Sequence, residues 1–347
     1  MKFSEVVEKL SDATVEGSSL TTHENCNPQI QGVASVREAT PGTLSYIEGG
    51  KYAEMVETTK ASALILPLDE MLQERAIARE IAWISVSDPK WLFAQAVKLF
   101  YKPYLPQPGI HPTAVIDPTA NIGKACSIGA HAVIEANVKI GDNVCIFPNV
   151  TIYPDVEIGD RAILHANCTI HERTRIGNDC TIQSNAAIGA EGFGFVPTSK
   201  GWIKMEQSGI TILEDGVEIG CNSCVDRPPV GETRIGRNTK IDNLVQIGHG
   251  CQVGDGCMMS AQVGLAGRAR IGDRVILAGQ AGVSNDITIG DGAIASGKSG
   301  VTRDVPPGQT VSGFPAIAHR LWSKTSVLQM RLPEIYQAIK KLQKEKK

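Results

Sequence analysis

Aliphatic residues recur at every sixth position through the middle of the chain, and this spacing constrains the fold more than any other feature. The series is unbroken from residue 110 to residue 188. It resumes at residue 213 and continues to residue 301, with one further break between residues 225 and 235. A period of six matches neither the 3.6 residues per turn of an α-helix nor the alternation of a β-strand. It is a solenoid period, and it predicts a parallel β-helix in which three hexads form one triangular coil. The series consists of Ile110, Ile116, Ile122, Ile128, Ile134, Ile140, Ile146, Ile152, Ile158, Leu164, Ile170, Ile176, Ile182, Ile188, Leu213, Ile219, Val225, Ile235, Ile241, Ile247, Val253, Met259, Leu265, Ile271, Leu277, Val283, Ile289, Ala295 and Val301.

In the predicted coil, the aliphatic residue of each hexad points inward and stacks on its equivalent one coil away, about 4.8 Å along the axis. Glycine follows it at several corners, as at Gly123 and Gly141, where a tight turn favours a residue without a Cβ atom. The repeat resembles that of hexapeptide-repeat proteins. This resemblance implies a left-handed coil, which is a known exception to the right-handed crossover rule.

The hexad series divides the 347 residues into three segments. Residues 1–107 lack the series and contain two apolar, β-type runs followed by a helix that begins at Pro89, so we predict a small α/β domain there. Three prolines and a glycine in residues 102–109 indicate a linker. We predict the β-helix over residues 108–313 and a helical tail over residues 314–347.

The composition argues against several classes of protein. A net charge of −3 gives no reason to expect nucleic-acid binding. The sequence has no run of about 20 apolar residues and no basic N-terminal segment followed by an apolar one, so we expect neither a membrane span nor secretion. These observations predict a cytoplasmic protein.

Nine cysteines raise the question of disulfides or a metal site, and Cys221 and Cys224 form a C-x-x-C pair. No second such pair lies at zinc spacing, so we expect neither a bound metal nor redox chemistry. Free cysteine behaves as a small hydrophobe, and free thiols are typical of a reducing cytoplasm. Five cysteines occupy the small position four residues after an inward aliphatic residue: Cys126, Cys168, Cys180, Cys251 and Cys257.

Two interruptions break the hexad series. The larger one, residues 190–211, contains Phe193, Phe195 and Trp202 in a chain with only 5% aromatic residues. Loops that leave a rigid scaffold often carry function, and the interior of a solenoid is filled, so we expect this loop to contribute to a site. The smaller one, residues 226–234, has no comparable signal. A tolerated insertion is the alternative interpretation of both.

Two tyrosines in the first domain are candidates for base stacking. Tyr46 and Tyr52 flank Gly49 and Gly50, and their rings could form a platform for a planar base. The alternative is a glycine turn with two half-buried tyrosines. The spacing alone favours this second interpretation.

The last segment changes to a seven-residue spacing. Leu321, Leu328, Ile335 and Leu342 form a heptad-like apolar seam suited to packing against copies of itself, and Pro333 is predicted to divide the tail into two helices. Basic residues outnumber acidic ones here, which indicates either a solvated face or attraction to an acidic partner. The basic residues are Arg320, Lys324, Arg331, Lys340, Lys341, Lys344, Lys346 and Lys347.

One column of the predicted coil carries groups suited to acyl transfer. Three hexads complete a turn, so His249, Gly267, Asn285 and Arg303 stack 18 residues apart. Asp242, seven residues before His249, is predicted to orient and polarise its imidazole. The base would accept a proton from the nucleophile, and the backbone amide of the glycine would stabilise the oxyanion. An exposed histidine without a task is the alternative.

His165 and His171 offer a rival interpretation. Each directly follows an inward residue, and γ-class carbonic anhydrases, which are hexapeptide trimers, assemble zinc sites from histidines of neighbouring subunits. Such a site needs a third histidine placed to meet the other two, and the spacing here is His-x5-His. We therefore do not expect zinc.

Taken together, several segments resemble the UDP-3-O-acylglucosamine N-acyltransferases of the lipid A pathway. The resemblance covers essentially the whole chain. The segment that ends in Gln246-Ile-Gly-His249, combined with the preceding domain, is its most specific part. The matching segments are residues 44–47, 51–52, 193–204, 216–220, 225–227, 240–249 and 312–315, followed by the helical tail.

The resemblance implies a homotrimer with active sites between subunits. It also implies transfer of an (R)-3-hydroxyacyl group from acyl carrier protein to the 2-amino group of UDP-3-O-acyl-glucosamine. The donor would be the acyl-phosphopantetheine arm of the carrier, with no permanently bound cofactor. The implied roles are general base for His249, oxyanion donor for Gly267, nucleotide or acceptor contacts for Tyr46, Gly49, Tyr52, Asn243, Gln246 and Asp286, and carrier-protein contacts for Arg303 and Lys324.

Two positions depart from the pattern of this family. Many members have histidine where this chain has Asp286, and members often have asparagine where it has Gly49. A supporting histidine and a side-chain contact to the nucleotide are therefore missing from the expected site.

Two other interpretations of the whole chain remain open. One is a different nucleotide-sugar acyltransferase that uses acetyl-CoA, and the other is a non-enzymatic trimeric scaffold. An acyltransferase of the first lipid A step is disfavoured, because that family lacks the leading domain of 107 residues.

Overall fold

The computed structural model describes residues 1–10, 15–21, 26–314 and 318–345. The chain divides into two compact units, Met1–Leu105 and Pro106–Lys347. Pro315 of the segment 312–315 and Lys346 and Lys347 of the basic tail lie outside the described residues. None of the described helices combines the length and apolar character that a bilayer crossing requires.

The first unit is a five-stranded sheet with the strand order β1-β5-β4-β3-β2, in which only β1 runs antiparallel to its neighbour. The sheet carries helices on both faces. The strands are β1 (Gly17–Ser18), β2 (Gly32–Val33), β3 (Thr43–Tyr46), β4 (Ala63–Leu66) and β5 (Ala82–Ser85). The helices are α1 (Phe3–Leu10), α2 (Glu70–Ala78) and α3 (Pro89–Phe100), with 3-10 helices at Ser19–Thr21 and Gly50–Glu57.

Burial on both sides explains the apolar runs of β4 and β5, whose residues are all buried. Ile65 and Ile84 pack into a core with α1 and α3, whereas Leu64 packs on the opposite face with α2. The helices begin where capping chemistry predicts. Asp69 caps α2 and Asp88 caps α3, each by accepting backbone N–H bonds.

The second unit is a parallel β-helix with three faces, which confirms the predicted hexapeptide coil. The first, second and third faces hold 11, 10 and 9 strands. Within uninterrupted coils, strands pair with residues 18 positions apart, as in the pairing of Ile140 with Ile158. The inward residues form one continuous core from Cys126 to Val305. Ile110 is an exception, because it lies at the open end of the first coil and is 55% exposed.

The strands of each face are short. The first face consists of Gly109–Ile110, Ser127–Ile128, Cys145–Ile146, Ile163–Leu164, Thr181–Ile182, Glu218–Ile219, Lys240–Ile241, Met258–Met259, Ile276–Leu277, Ile294–Ala295 and Thr310–Val311. The second face consists of Val115–Ile116, Val133–Ile134, Thr151–Ile152, Thr169–Ile170, Ala187–Glu191, Cys224–Arg227, Gln246–Ile247, Gly264–Leu265, Gly282–Val283 and Gly300–Val301. The third face consists of Asn121–Ile122, Lys139–Ile140, Glu157–Ile158, Arg175–Ile176, Ile210–Leu213, Glu232–Ile235, Gln252–Val253, Arg270–Ile271 and Thr288–Ile289.

The corners between faces use left-handed backbone conformations. Asn137, Asn143 and Asn149 have φ angles of 59°, 58° and 61°. Asparagine tolerates this region better than most residues, which accounts for its recurrence at the corners. His131 and Leu244 adopt the same conformation with φ angles of 58° and 59°.

The two interruptions lie on consecutive coils and pair with each other. The larger one lengthens the strand Ala187–Glu191, forms an antiparallel ribbon from Phe195–Thr198 and Gly201–Lys204, and returns in Ile210–Leu213. Ala190 and Glu191 pair with Asp226 and Arg227 of the smaller interruption. The hexad count alone does not predict this pairing of the two interruptions.

The tail consists of α4 (His319–Met330) and α5 (Leu332–Glu345). Pro333 lies in the first turn of α5, where proline is compatible with a helix, so the two helices meet where they were predicted to. Leu321, Leu328 and Leu342 are each more than half exposed in the single chain. Ile335 is half-buried, so other described residues leave most of the apolar seam uncovered.

Candidate active site

His249 lies at the corner that follows the strand Gln246–Ile247 of the second face. The next strand of that face is Gly264–Leu265, so Gly267 lies one coil above His249. A methyl group built on Gly267 would lie 2.8 Å from both Nε2 and Cε1 of His249. The imidazole therefore rests against the backbone of Gly267, and only glycine leaves room for it.

The amide of Gly267 is not used by the fold. Its N–H group donates no hydrogen bond to any of the described residues, whereas its carbonyl accepts the N–H of Asp286 at 3.3 Å. The structure therefore places the predicted base, His249, next to a backbone N–H group, that of Gly267, which is free to bind a substrate oxygen.

The larger interruption brings Gly192 against the other side of His249. A methyl group built on Gly192 would lie 2.5 Å from Cβ of His249 and 2.8 Å from the carbonyl oxygen of Arg227. The histidine is thus held between the inserted segment and the next coil. The aromatic residues of this loop predicted a contribution to a site, but no pattern in the sequence pointed to Gly192.

A groove of about 680 Å³ opens beside His249. The smaller interruption supplies one wall through Pro228, Pro229 and Val230, so it too is part of the candidate site. The remaining lining residues are Glu232, Gly250, Gln252, Arg268, Arg270 and Asp286.

An ion pair fixes the charges next to the base. Arg268 donates from Nε and Nη2 to the two carboxylate oxygens of Asp286 at 2.7 and 2.9 Å. Burial lowers the pKa of His249, and the nearby Arg268 lowers it further, whereas Asp286 acts in the opposite direction. The two largest effects, burial and the charge of Arg268, both favour the neutral imidazole that a general base requires.

Within one chain the described residues show no contact between Asp242 and His249, so the orienting role of Asp242 stays a prediction. Asp242 follows the first face, whereas His249 follows the second, so one side of the triangular coil separates them. Its carboxylate accepts the backbone N–H of Asn243 at 2.7 Å. The charges that act on the imidazole come from Arg268 and Asp286 instead.

Asn243 and Gln246 each already have a partner. Asn243 Oδ1 accepts the backbone N–H of Cys221 at 2.7 Å, and Gln246 Nε2 donates to Asp226 Oδ2 at 2.9 Å. Burial raises the pKa of Asp226 to about 6.

The upper end of the column is exposed. Asn285 and Arg303 lie two and three coils above His249, and neither lines the groove. Lys324 is an exposed residue of α4.

Tyr46 and Tyr52 come together in a second pocket, of about 410 Å³, in the first unit. Arg37, Lys90 and Glu48 line the same pocket, so its charged lining has one more basic residue than acidic ones. The ring of Tyr46 is braced by Phe93, with ring centroids 4.7 Å apart. Both tyrosines are half-buried, as the glycine-turn interpretation predicts, and the stacking of a base on them stays a prediction.

Gly49 has φ 87° and ψ −159°, a backbone conformation essentially restricted to glycine. It precedes the 3-10 helix Gly50–Glu57, which carries Tyr52. The glycine here is therefore required by the local backbone, and an asparagine would be strained.

His165 and His171 lie on different corners of one coil and do not meet within the chain. The ring of His165 stacks on Phe147 with centroids 4.8 Å apart, and His171 stacks on Tyr153 at 5.1 Å. All nine cysteines lie in the described part of the chain and are unpaired, and most are buried.

Comparison with known proteins identifies both units. A family model described as UDP-3-O-(3-hydroxymyristoyl) glucosamine N-acyltransferase, LpxD, matches residues 27–99. A model of bacterial transferase hexapeptide repeats matches residues 232–267, and a model of the GMPPB C-terminal domain matches residues 110–230.

A structural comparison supports the fold. The chain resembles the crystal structure of an Arabidopsis UDP-N-acetylglucosamine acyltransferase, with 27% identity and a TM-score of 0.55. The match covers 59% of this chain and 71% of that one. Together with the hexapeptide repeats, this likeness confirms a left-handed parallel β-helix.

Curated relatives match over the full length. A protein of Rippkaea orientalis named UDP-3-O-acylglucosamine N-acyltransferase is 64% identical over 99% of each chain. A protein of Nostoc punctiforme with the same name is 61% identical over 99% of this chain and 98% of its own. The first unit, the hexapeptide coil and the full-length identity agree, and the chain belongs to the UDP-3-O-acylglucosamine N-acyltransferase family.

Proposed function

We propose that this enzyme moves an (R)-3-hydroxyacyl group from acyl carrier protein to the 2-amino group of UDP-3-O-acyl-glucosamine in lipid A biosynthesis, with His249 as general base. The contact between the His249 imidazole and Gly267, at the edge of a groove, carries this proposal. It places a proton acceptor beside a backbone N–H that the fold leaves free.

The proposed reaction is direct attack on the thioester. The amine nitrogen of the acceptor bonds to the thioester carbon while His249 takes a proton from that nitrogen. The N–H of Gly267 donates to the developing oxyanion. When the intermediate collapses, the carbon–sulfur bond breaks and the imidazolium returns its proton to the departing thiolate of the carrier.

The surroundings of the cysteines support direct attack over an acyl-enzyme. Cys251 is two residues from His249 but is fully buried in the coil, where its thiol donates to the carbonyl of Ala266 at 3.2 Å. Burial raises the pKa of Cys251 to about 11, which leaves very little thiolate at neutral pH.

The outer surface of the second face suits an extended donor. Gly264, Gly282 and Gly300 stack on three consecutive coils, and a methyl group built on any of them would meet nothing within 4 Å. None has a positive φ angle, so neither the local backbone nor packing within the chain requires glycine there. We assign this strip, with Thr302, to the wall along which the acyl-phosphopantetheine arm lies.

The remaining roles follow from family membership and location. The pocket of Tyr46 and Tyr52 would hold the uracil ring, with Gly49 shaping its edge, so residues 1–107 would be the uridine-binding domain. Arg303 and Lys324 would meet the acidic carrier protein. The apolar seam of the tail and the family's architecture support a homotrimer, and the nine free thiols support a reducing cytoplasm. Asn243, Gln246 and Asp286 remain proposed acceptor contacts, although each is engaged within the chain.

The test is N-acyl transfer from a panel of 3-hydroxyacyl carrier proteins to UDP-3-O-acyl-glucosamine, measured for wild type and His249→Ala. We expect turnover by the wild type and a loss of roughly 10²-fold or more in the variant. A wild type inactive with every carrier donor but active with acetyl-CoA would refute the donor assignment. Equal rates for the two proteins would refute the role of His249.

A further inference from the structure

Arg227 stands out because it is a buried charge in a solenoid wall. It is the one charged residue among the described residues that is buried, with 5% of its surface exposed. A buried guanidinium is unfavourable unless each of its nitrogens is paired. The direct catalytic step proposed above does not use it, although it lies close to the groove.

All three guanidinium nitrogens of Arg227 have partners. Nε donates to the carbonyl oxygen of Gln207 at 2.7 Å, and Nη1 donates to the carbonyl oxygen of Gly189 at 2.8 Å. Nη1 and Nη2 bind the two carboxylate oxygens of Glu172 at 3.0 and 2.8 Å. Nη2 also lies 3.5 Å from a carboxylate oxygen of Glu191.

The two carbonyl partners lie at the two ends of the inserted ribbon. Gly189 precedes the inserted ribbon and Gln207 follows it, so the guanidinium ties both ends of the insertion together. Glu172 belongs to a coil two steps below and anchors the guanidinium to the solenoid. Arg227 is therefore a clamp at the base of the ribbon.

The clamp lies directly beneath the proposed base. Val225 pairs with Ile247, which places Arg227 one coil below His249. The carbonyl oxygen of Arg227 accepts the N–H of Gly192 at 3.1 Å, and Gly192 packs against Cβ of His249. A continuous chain of contacts thus runs from Arg227 through Gly192 to His249 and on to Gly267.

We infer that Arg227 is a positioning residue for the acyl transfer proposed above. Its guanidinium fixes Gly189 and Gln207 at the two ends of the insertion, and so keeps the intervening Gly192 against His249 and the imidazole over Gly267. Small displacements of a catalytic group lower the rate steeply, by about 10²-fold for about 1 Å. The kinetic part of this inference rests on the proposed function. The structural part, that Arg227 fixes the ribbon, does not.

The first experiment compares Arg227→Met, Arg227→Lys and Arg161→Met in the full-length protein. Arg161 is the matched control, because it makes an equally bidentate ion pair with Asp179, at 2.7 Å for both bonds, on an exposed surface. Two quantities are measured: kcat for acyl transfer and the rate of trypsin cleavage after Lys200 and Lys204, which lie in the ribbon.

We expect Arg227→Met to lower kcat at least tenfold with little change in KM for the nucleotide sugar, and to accelerate cleavage in the ribbon at least fivefold. Arg227→Lys should keep part of the wild-type kcat and part of the resistance to cleavage, because a single ammonium replaces only some of the contacts of a planar guanidinium. Arg161→Met should match the wild type. Wild-type kcat and wild-type cleavage in Arg227→Met would overturn the inference.

A second experiment keeps the inference testable if Arg227→Met does not fold. Glu172→Gln removes the anchor, and Gly192→Ala places a methyl group against His249 Cβ. If the clamp acts through Gly192, a double variant of these two should lose no more kcat than the worse single variant. Losses that simply multiply would contradict the inference. If the wild type transfers no acyl group, the proposed function fails, and ribbon cleavage in Glu172→Gln still decides whether the clamp exists.

Discussion

The imidazole of His249 lies against the backbone of Gly267, the residue one coil above it in the same column. The proposed base and the proposed oxyanion donor are therefore held at a separation set by the spacing between neighbouring strands. Because both groups sit on the rigid part of the fold, their geometry is established before any substrate binds. Preorganised donors of this kind contribute strongly to catalysis.

Gly267→Ala should disrupt this arrangement without unfolding the coil. A methyl group there would lie 2.8 Å from Nε2 of His249, so the ring must move away from the amide. We expect kcat to fall by roughly 10²-fold, similar to the loss of an oxyanion donor. Steady-state kinetics and thermal melting measure the effect.

The matched control for that variant is Gly297→Ala. Gly297 occupies the same place in its hexad at a different corner, and a methyl group there would lie 3.5 Å from its nearest neighbour, the carbonyl oxygen of Gly279. Its kcat should equal that of the wild type. A large loss in the control would mean that the effect of Gly267→Ala is general to corner glycines.

His249→Gln tests proton transfer separately from shape. Glutamine is similar in length to histidine and can form hydrogen bonds, but it does not act as a base near neutral pH. We expect a fall in kcat of roughly 10²-fold or more and the disappearance of the acidic limb of the pH–rate profile. An acidic limb that persists with the same midpoint would assign the titration to another group.

The ion pair beside the base predicts opposite pH shifts for its two members. Arg268 lowers the pKa of His249, so Arg268→Met should raise that pKa, and the acidic limb of kcat/KM should move to higher pH. Asp286 raises the pKa of His249, so Asp286→Asn should move the limb to lower pH. Arg237→Met, which removes an exposed ion pair with Asp255, should leave the profile in place. Shifts in the same direction for both variants would contradict this account.

Tyr46→Ala should weaken nucleotide binding without affecting chemistry. Stacking of a base on an aromatic ring contributes about 1–3 kcal/mol, so we expect a rise in KM for the nucleotide sugar of roughly tenfold with kcat unchanged. Titration calorimetry with UDP provides a measure of binding that does not depend on turnover. Tyr101→Ala, at an exposed residue after α3, is the control. Unchanged UDP affinity in Tyr46→Ala would exclude the stacking role.

Lys324→Glu tests the tail as a docking surface for the acidic carrier. Opposite charges on the two proteins accelerate their encounter, and this effect weakens with salt. We expect a higher KM for the acyl carrier protein, with a smaller salt dependence than in the wild type. Lys60→Glu, an exposed lysine of the first unit, should have no such effect. The same KM and salt dependence in Lys324→Glu as in the wild type would exclude Lys324 from the docking surface.

The sequence predicts the coil well because its periodicity is a direct record of burial. Ile140 and Ile158 are both inward because six residues make one side of the triangle and 18 make one turn, and no insertion separates these two residues. The same arithmetic places Gly267 above His249, since no insertion separates them.

Counting 18 residues per coil fails where an interruption changes the number of residues in a coil. Arg227 lies 22 residues before His249 and still stacks beneath it, because the smaller interruption adds four residues to that coil. Asp242 was expected beside His249 because it is close in sequence, but a separation of seven residues spans one side of the triangle. Side-chain partners across an insertion, such as Arg227 and Glu172, require the strand pairing itself.

The inserted ribbon also has a consequence for how the coil forms. A coil without an interruption closes a loop of 18 residues, as between Asp160 and Asn178, whereas Asn178 and Asp215 are 37 residues apart. Doubling a loop costs about 0.6 kcal/mol more in closure entropy, and non-local contacts form slowly. We expect the coils on either side of the ribbon to assemble as separate nuclei, and their joining to be the slow step of folding. The ribbon segment that packs against the proposed base is therefore expected to be the last part of the solenoid to close.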